Sequence, residues 1–411
     1  NWTRSTFSPS SVKAIRLKDG QASVDDERCI GCGNCIRECP QGAKASRSDL
    51  GDAQRLLCDD GAKVIASVAP SFAGIYLGWR RRRLPSALRR LGFWRVEQTA
   101  AAATAVAESV VEGWRARRDE APDAPAICTA CPAVVRYAER HRPAAVPWLT
   151  PVVSPMEAHA RALKERFPAA RVVFIGPCVA KKQERDDREE RAKHRTEARG
   201  SAVDVVLTFA ELDGWLAEQE IGLATCEESD FDGRAQGKAR LFALPGGLLE
   251  TGGLDSGLAG ERPGGETPNT LTILGPDDLD DALRGLERAP QPLLLEPLFC
   301  RHGCLGGAGI DSELSLLARR QALLEYGAEE ARRDALACNP GAGEPPSISG
   351  AALMLAEHQR RPAEGEPTED EIQRILDETG KADPADHLDC GACAARTSRP
   401  RPCPAPRPWP C

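Results

Sequence analysis

Three short segments, far apart in the chain, carry side chains suited to metal chemistry. They are Cys131-Pro132; Gly176-Pro177-Cys178 with Lys181 and Glu184 just beyond; and the pair Cys300 and Cys304, followed by Gly306-Gly307. Four thiolates delivered by three loops can close around one iron-sulfur cluster. A lysine and a glutamate at set offsets from Cys178 add charged groups that can act beside it. The chain holds 16 cysteines among 411 residues, and their spacings are of the C-x-x-C type. No export signal precedes them, because Asn1 to Ser11 is polar, so metal ligation in a reducing cytoplasm is expected rather than a disulfide framework.

A further run, Cys29, Cys32, Cys35 and Cys39-Pro40, spells C-x2-C-x2-C-x3-C-P, the spacing of a bacterial ferredoxin. Such spacing lets one tight loop wrap three thiolates around a cluster, and Gly31 and Gly33 let the backbone approach closely. A structural zinc knuckle is the bland alternative, disfavoured by the trailing proline. In two-cluster ferredoxins the fourth cysteine of each run serves the other cluster, yet no second run is present. Ser10 and Ser11 stand where the last Cys-Pro of a first run belongs. The reading favoured is a two-cluster domain cut short; the rival is one cluster with an unusual fourth ligand such as Cys39, Cys58 or Ser10.

The elements that must position the core cysteines follow from periodicity. Val64 to Ala69, Arg171 to Ile175, Val203 to Leu207, Leu271 to Leu274 and Leu293 to Leu295 read as strands. Met156 to Phe167, Phe209 to Gln219, Asp277 to Leu286 and Ser312 to Tyr326 read as helices. Alternation of this kind predicts an α/β class with mostly parallel strands, in which ligands sit beyond the carboxyl ends of the strands. Two cysteine loops obey that rule, as Val172 to Ile175 runs straight into Cys178 and Leu293 to Leu295 runs into Glu296 and Cys300.

Taken together, Cys131-Pro132, Pro177-Cys178-x-x-Lys181-x-x-Glu184 and Glu296-x3-Cys300-x2-Gly303-Cys304-x-Gly306-Gly307 resemble the three signature segments of iron-iron hydrogenases, in order. Ala69-Pro70-Ser71 resembles the segment lining the diiron site of that family, and the likeness covers residues 12 to 395. The resemblance implies a two-lobed domain over residues 59–362, a small ferredoxin-like α+β 4Fe-4S domain over 1–58, and a C-terminal 4Fe-4S module over 363–411. It further implies that Cys131, Cys178, Cys300 and Cys304 hold a 4Fe-4S cluster, with Cys304 also bridging to a diiron unit bearing CO and cyanide: the H-cluster. Lys181 would donate to one cyanide, and backbone amides near Pro70 and Ser71 would contact the other. Glu184 and Glu296 would be supporting or proton-relay carboxylates. Lys182 reads as an ordinary surface residue. Implied partners are a ferredoxin or other redox protein, H-cluster maturation proteins and a signalling partner.

Departures from the family bear on activity. Active members carry two adjacent cysteines in the first segment, and the earlier one moves protons; here that position is Ala130, which cannot ionise. Gly176 and Leu298 replace methionines, and Met156 follows Ser154-Pro155 where catalytic members often have glutamine. These changes resemble the sensory or regulatory branch.

The C-terminal part extends that likeness. Thr368 to Thr379 reads as a capped helix ending at Gly380. Cys390 and Cys393 then open a further cluster motif, but Ser398 stands at the next ligand position. An Arg/Pro-rich tail with Cys403 and Cys411 follows, and the expectation is a truncated or frame-shifted module without a stable cluster; the rival makes Cys403 and Cys411 replacement ligands. Arg80 to Arg83 reads as a solvated helix face, Gln183 to Gly200 as a solvated helix or loop, and Pro245-Gly246-Gly247 as a turn resembling one near the H-cluster. Cys58, Cys226 and Cys338 are expected as buried or free thiols, and Cys128 has no assignment. A composition 41% hydrophobic and 28% charged, with net charge −7, fits a globular chain and disfavours nucleic acid as the partner. No apolar run approaches the roughly 18 residues a membrane span needs.

Overall fold

A computed structural model describes residues 12–18, 21–39, 42–59, 61–194, 200–254 and 269–336, with isolated positions 353, 370, 373, 374 and 377. Its strands are β1 (Ile15–Lys18), β2 (Gln21–Val24), β3 (Val64–Val68), β4 (Arg95–Gln98), β5 (Ala126–Ile127), β6 (Arg171–Gly176), β7 (Val205–Thr208), β8 (Thr270–Leu274) and β9 (Leu294–Leu298). β1 and β2 form an antiparallel hairpin with Ile15 opposite Val24. The larger sheet has the order β4-β3-β6-β7 and the smaller one β5-β9-β8. Every pairing in these two sheets is parallel. This is the α/β architecture expected from the alternating pattern.

Apolar runs explain most of it. All five residues of β3 and of β9 are buried, as strands covered on both faces must be. The helix Phe209–Glu218 starts on a capping box: Glu211 N donates to Thr208 Oγ1 at 3.1 Å, and Thr208 N donates to Glu211 Oε2 at 2.8 Å. The helix Pro276–Arg288 opens with proline and two aspartates, Asp277 and Asp278, which suit its N-terminal dipole.

Several elements differ from the sequence expectation. β4 reads Arg-Val-Glu-Gln and was not among the expected strands, yet Glu97 and Gln98 are buried in it. Glu97 Oε1 accepts from Arg95 at 3.0 Å, and Gln98 donates to the Tyr326 hydroxyl at 2.7 Å. The helices Trp79–Arg90, Ala103–Glu120 and Pro132–His141 were not anticipated. The charged stretch expected from Gln183 belongs to a helix Ala180–His194 that begins earlier, and its first residues are buried. The last long helix runs Leu316–Leu336, later than the expected Ser312 start.

The arginine run is helical but not a solvated face throughout. Arg81 is buried, donating to Glu329 at 2.7 Å and to the Ala322 carbonyl at 3.3 Å. Positions 370, 373, 374 and 377 are helical within the predicted 368–379 stretch, where Gln373 donates to Asp377 at 3.0 Å. Ser10, Cys338, Cys390, Cys393, Ser398, Cys403 and Cys411 lie outside the described residues. Among the described residues, no helix is long and apolar enough to cross a membrane.

Candidate metal centre

Cys131, Cys178, Cys300 and Cys304 each follow a strand of one sheet or the other, so the carboxyl edges of both sheets converge on one place. Cys131 follows β5 and caps the helix Pro132–His141, with Pro132 in the first helical position. Cys178 lies two residues past β6, and its carbonyl accepts from Lys181 N at 3.3 Å. Cys300 and Cys304 sit in a turn after β9, where Gly303 N donates to Cys300 O at 3.0 Å and Gly303 adopts φ 65°. The Gly306-Gly307 pair has a steric reason: a Cβ at Gly307 would collide with the Pro177 carbonyl oxygen. Gly307 thus lets the Cys304 loop press directly onto the Cys178 loop, while a Cβ at Gly306 would meet His302 of its own loop.

The thiols feel one another. Burial pushes Cys178 up to about 11, with the Cys131 charge adding to the rise. Burial, then Cys178 and Cys131, push Cys304 up to about 12 and Cys300 well above the ordinary thiol value. Four thiolates therefore cannot accumulate here without positive charge to compensate, which iron ions supply. Among the described residues no set of His, Cys, Asp and Glu converges tightly enough to hold a single metal ion.

Charged and polar groups border the cysteines. Lys181 Nζ donates to Glu184 Oε2 at 2.7 Å and to the Ala130 carbonyl at 3.3 Å. Its ammonium also draws the Cys178 and Cys304 thiols downward against burial. Burial works to raise Glu184, but Lys181 and Arg188 overcome it and hold the carboxyl below its usual range. Ser71, in the 3-10 turn Pro70–Gly74 after β3, is buried with its hydroxyl unpartnered. A buried hydroxyl without a partner costs free energy unless a guest accepts from it. An orphaned serine beside Pro70 therefore fits a polar ligand entering this edge.

Glu296 takes a different place from Glu184. It is buried on β9 and accepts from Leu248 N and Leu249 N, both at 3.2 Å, at the start of the helix Gly247–Thr251. It thereby pins the Pro245-Gly246-Gly247 turn, whose proline would lie 3.5 Å from a Cβ on Gly303. Burial pushes Glu296 up to about 7, partly offset by those amides. Its charge also raises the buried Cys128 thiol after burial itself.

The surface reading of Lys182 is corrected. Lys182 is buried, and its ammonium donates to both oxygens of Glu211 at 2.8 Å and to the Arg47 carbonyl at 2.9 Å. Nothing local in the sequence marks Glu211 as its partner. Cys226 and Cys128 are buried and Cys58 exposed, all three without disulfides.

The ferredoxin-like loop packs onto this centre. Cys29, Cys32 and Cys35 sense one another, and the Cys178 charge also reaches Cys32, which burial pushes up to about 12. Cys39 is half-buried just past the short helix Asn34–Arg37. Arg37 donates to the Gly306 carbonyl at 2.8 Å, and a Cβ at Gly33 would lie 2.6 Å from both Val179 and Ala308. Close approach at Gly33 was legible as a glycine, but its partner loops were not.

Comparison with known proteins gives two family matches: residues 62–308 match the C-terminal domain of the iron only hydrogenase large subunit, and residues 22–44 a 4Fe-4S binding domain. The chain is 25% identical over 359 residues to the NADP-reducing hydrogenase subunit HndD of Solidesulfovibrio fructosivorans, covering 74% of this chain and 60% of that relative. It is 33% identical over 106 residues to the cytosolic Fe-S cluster assembly factor NAR1 of Kluyveromyces lactis, covering 25% of this chain and 21% of that protein. A variant of the FeFe-hydrogenase HydA1 from Chlamydomonas reinhardtii shares the fold, with TM-score 0.56 and 21% identity over 76% of this chain and 99% of that one.

Proposed function

Because this chain belongs to the family of iron-only hydrogenase large subunits and carries a 4Fe-4S binding segment, we propose that it is a hydrogen-sensing or redox-regulatory protein of low turnover. The observation that carries this reading is Ala130. Where active members place a proton-carrying cysteine, this chain offers only a methyl group and a backbone carbonyl, which accepts from Lys181 at 3.3 Å. Loss of a positioned acid-base group removes on the order of 10²–10⁴ in rate.

Cys131, Cys178, Cys300 and Cys304 would hold the 4Fe-4S part of an H-cluster, with Cys304 bridging to a diiron unit bearing CO and cyanide. When bound, that cofactor supplies the interconversion of two protons and two electrons with hydrogen. Lys181 would donate to a cyanide of the diiron unit, and Glu184, 2.7 Å from its ammonium, fixes the lysine in place. The unpartnered Ser71 hydroxyl, in the segment Ala69-Pro70-Ser71, would offer a further polar contact. Glu296 holds the Pro245–Gly247 turn over the Cys300–Cys304 loop. Cys29, Cys32, Cys35 and Cys39 would serve the N-terminal clusters, which exchange electrons with a ferredoxin or another redox protein. Domain limits of 1–58, 59–362 and 363–411, a cytoplasmic location, and partners for signalling and maturation belong to the same proposal.

A slow hydrogenase is the second reading, favoured by the match to HndD over 74% of this chain. An assembly or electron-transfer role without the diiron unit is the third, favoured by the short match to NAR1. An anaerobic infrared spectrum of protein matured with the diiron precursor separates them. Protein-bound CO and cyanide bands support an H-cluster, after which hydrogen turnover distinguishes sensor from enzyme. A spectrum without such bands, alongside 4Fe-4S signals, overturns the first two readings.

A further inference from the structure

Gly176 ends β6 directly before Pro177-Cys178, and its missing side chain leaves room that another residue takes. A Cβ built on Gly176 would lie 2.5 Å from Cε1 and 2.6 Å from Cζ of Phe174, and 3.2 Å from the Ala69 Cβ. Residues two apart on a strand share one face, so the Phe174 ring leans along β6 toward the carboxyl edge of the sheet. Its far end fills the volume that a side chain at 176 would occupy. Phe174 is buried, and in the β3–β6 register it lies opposite Ser67, with Ile175 opposite Val68. The neighbouring Ala69 N donates to Ile175 O at 2.9 Å. The ring tip thus stands beside Ala69, the residue that leads into Pro70 and the unpartnered Ser71 hydroxyl.

We infer that Phe174 and Gly176 are a coupled pair in which the aromatic ring replaces the residue-176 side chain as the wall of the cluster pocket beside Ala69. The inference rests on the H-cluster reading for what the wall faces, but the pairing itself does not. A phenyl ring has two side-chain torsions and a rigid outline, whereas a methionine at 176 is unbranched and adaptable. This chain therefore has a stiffer and more apolar wall, which sets the pocket volume and excludes water from that side.

Two measurements test it on the full chain. The first is a double-mutant cycle on 4Fe-4S-loaded protein with Phe174→Ala, Gly176→Met and the pair. Gly176→Met alone forces its side chain into the ring and should lower the unfolding midpoint by roughly 3–10 °C. Phe174→Ala costs stability of its own as a buried truncation, so the pair should lose clearly less than the sum of the two single losses. If Gly176→Met unfolds with the wild-type protein, or if the two losses simply add, the pairing is wrong.

The second compares CO and cyanide infrared bands of matured wild-type and Phe174→Ala protein. Shifted bands in the variant place the ring against the diiron unit. Wild-type bands that stay unmoved in the variant overturn the wall assignment. A wild type with no such bands overturns the H-cluster reading, and with it the wall assignment, while the cycle still decides the pairing.

Discussion

Glu296 gives the sharpest pH test of the site's electrostatics. The residue is 3% exposed, and burial raises its carboxyl from 4.5 to about 7 although two amides oppose the rise. The folded state therefore prefers the neutral acid. With the folded value above the unfolded one, the contribution to stability is complete below pH 4.5 and is lost as pH climbs through 7. The rise from 4.5 to about 7 is worth about 3 kcal/mol. Glu296→Gln keeps a carbonyl acceptor for one of Leu248 N and Leu249 N, which donate to different oxygens of Glu296, so it carries a pH-independent cost; but it cannot ionise, so it should escape the pH-dependent loss. In anaerobic urea titrations of cluster-loaded protein, the stability of Glu296→Gln relative to wild type should grow with pH by about 1.4 kcal/mol per unit up to about 7, then level off. A difference that stays constant between pH 5.5 and 8.5 would falsify the assignment of a neutral buried acid.

Three further outcomes follow from particular contacts. Lys182→Met should cost about 2–3 kcal/mol in urea unfolding, because it takes the ammonium from the Glu211 carboxylate and leaves it only the donors Thr208 and Asp49 N, and adding Glu211→Gln should recover part of it; independent, additive effects would refute the pairing. Gly307→Ala drives a methyl group into the Pro177 carbonyl and should leave protein deficient in core-cluster iron and sulfide; full iron content after anaerobic reconstitution would count against the loop packing. Ala130→Cys should raise hydrogen turnover of matured protein about 10²-fold with an artificial electron donor; an unchanged rate means that position 130 is not what limits this chain.

The sequence by itself determined what depends on neighbours along the chain. Apolar runs marked β3, β6, β7 and β9, because a strand covered on both faces must be nearly continuously apolar, and they marked β8 although Leu271 in it is exposed. Cysteine spacing marked the ligand loops, and Gly31 and Gly33 marked a close backbone approach. Tertiary structure alone decided what depends on partners distant in sequence. β4 was illegible because its buried Glu97 and Gln98 are held by partners distant in sequence: Arg166 and His159 stand 3.5 Å from Glu97, and Tyr326 and the backbone of Ala235 bond Gln98. Lys182 looked like a surface lysine because Glu211, which makes its burial tolerable, belongs to another helix. The same holds at the metal centre. The four core cysteines follow strands of two different sheets, and only the packing of those sheets brings their carboxyl edges to one point. Gly176 likewise read as a missing side chain, and only the fold shows Phe174 filling its place. Local spacing encodes which atoms can bind a cluster; burial and shape, which are properties of the packed chain, decide where those atoms meet and what surrounds them.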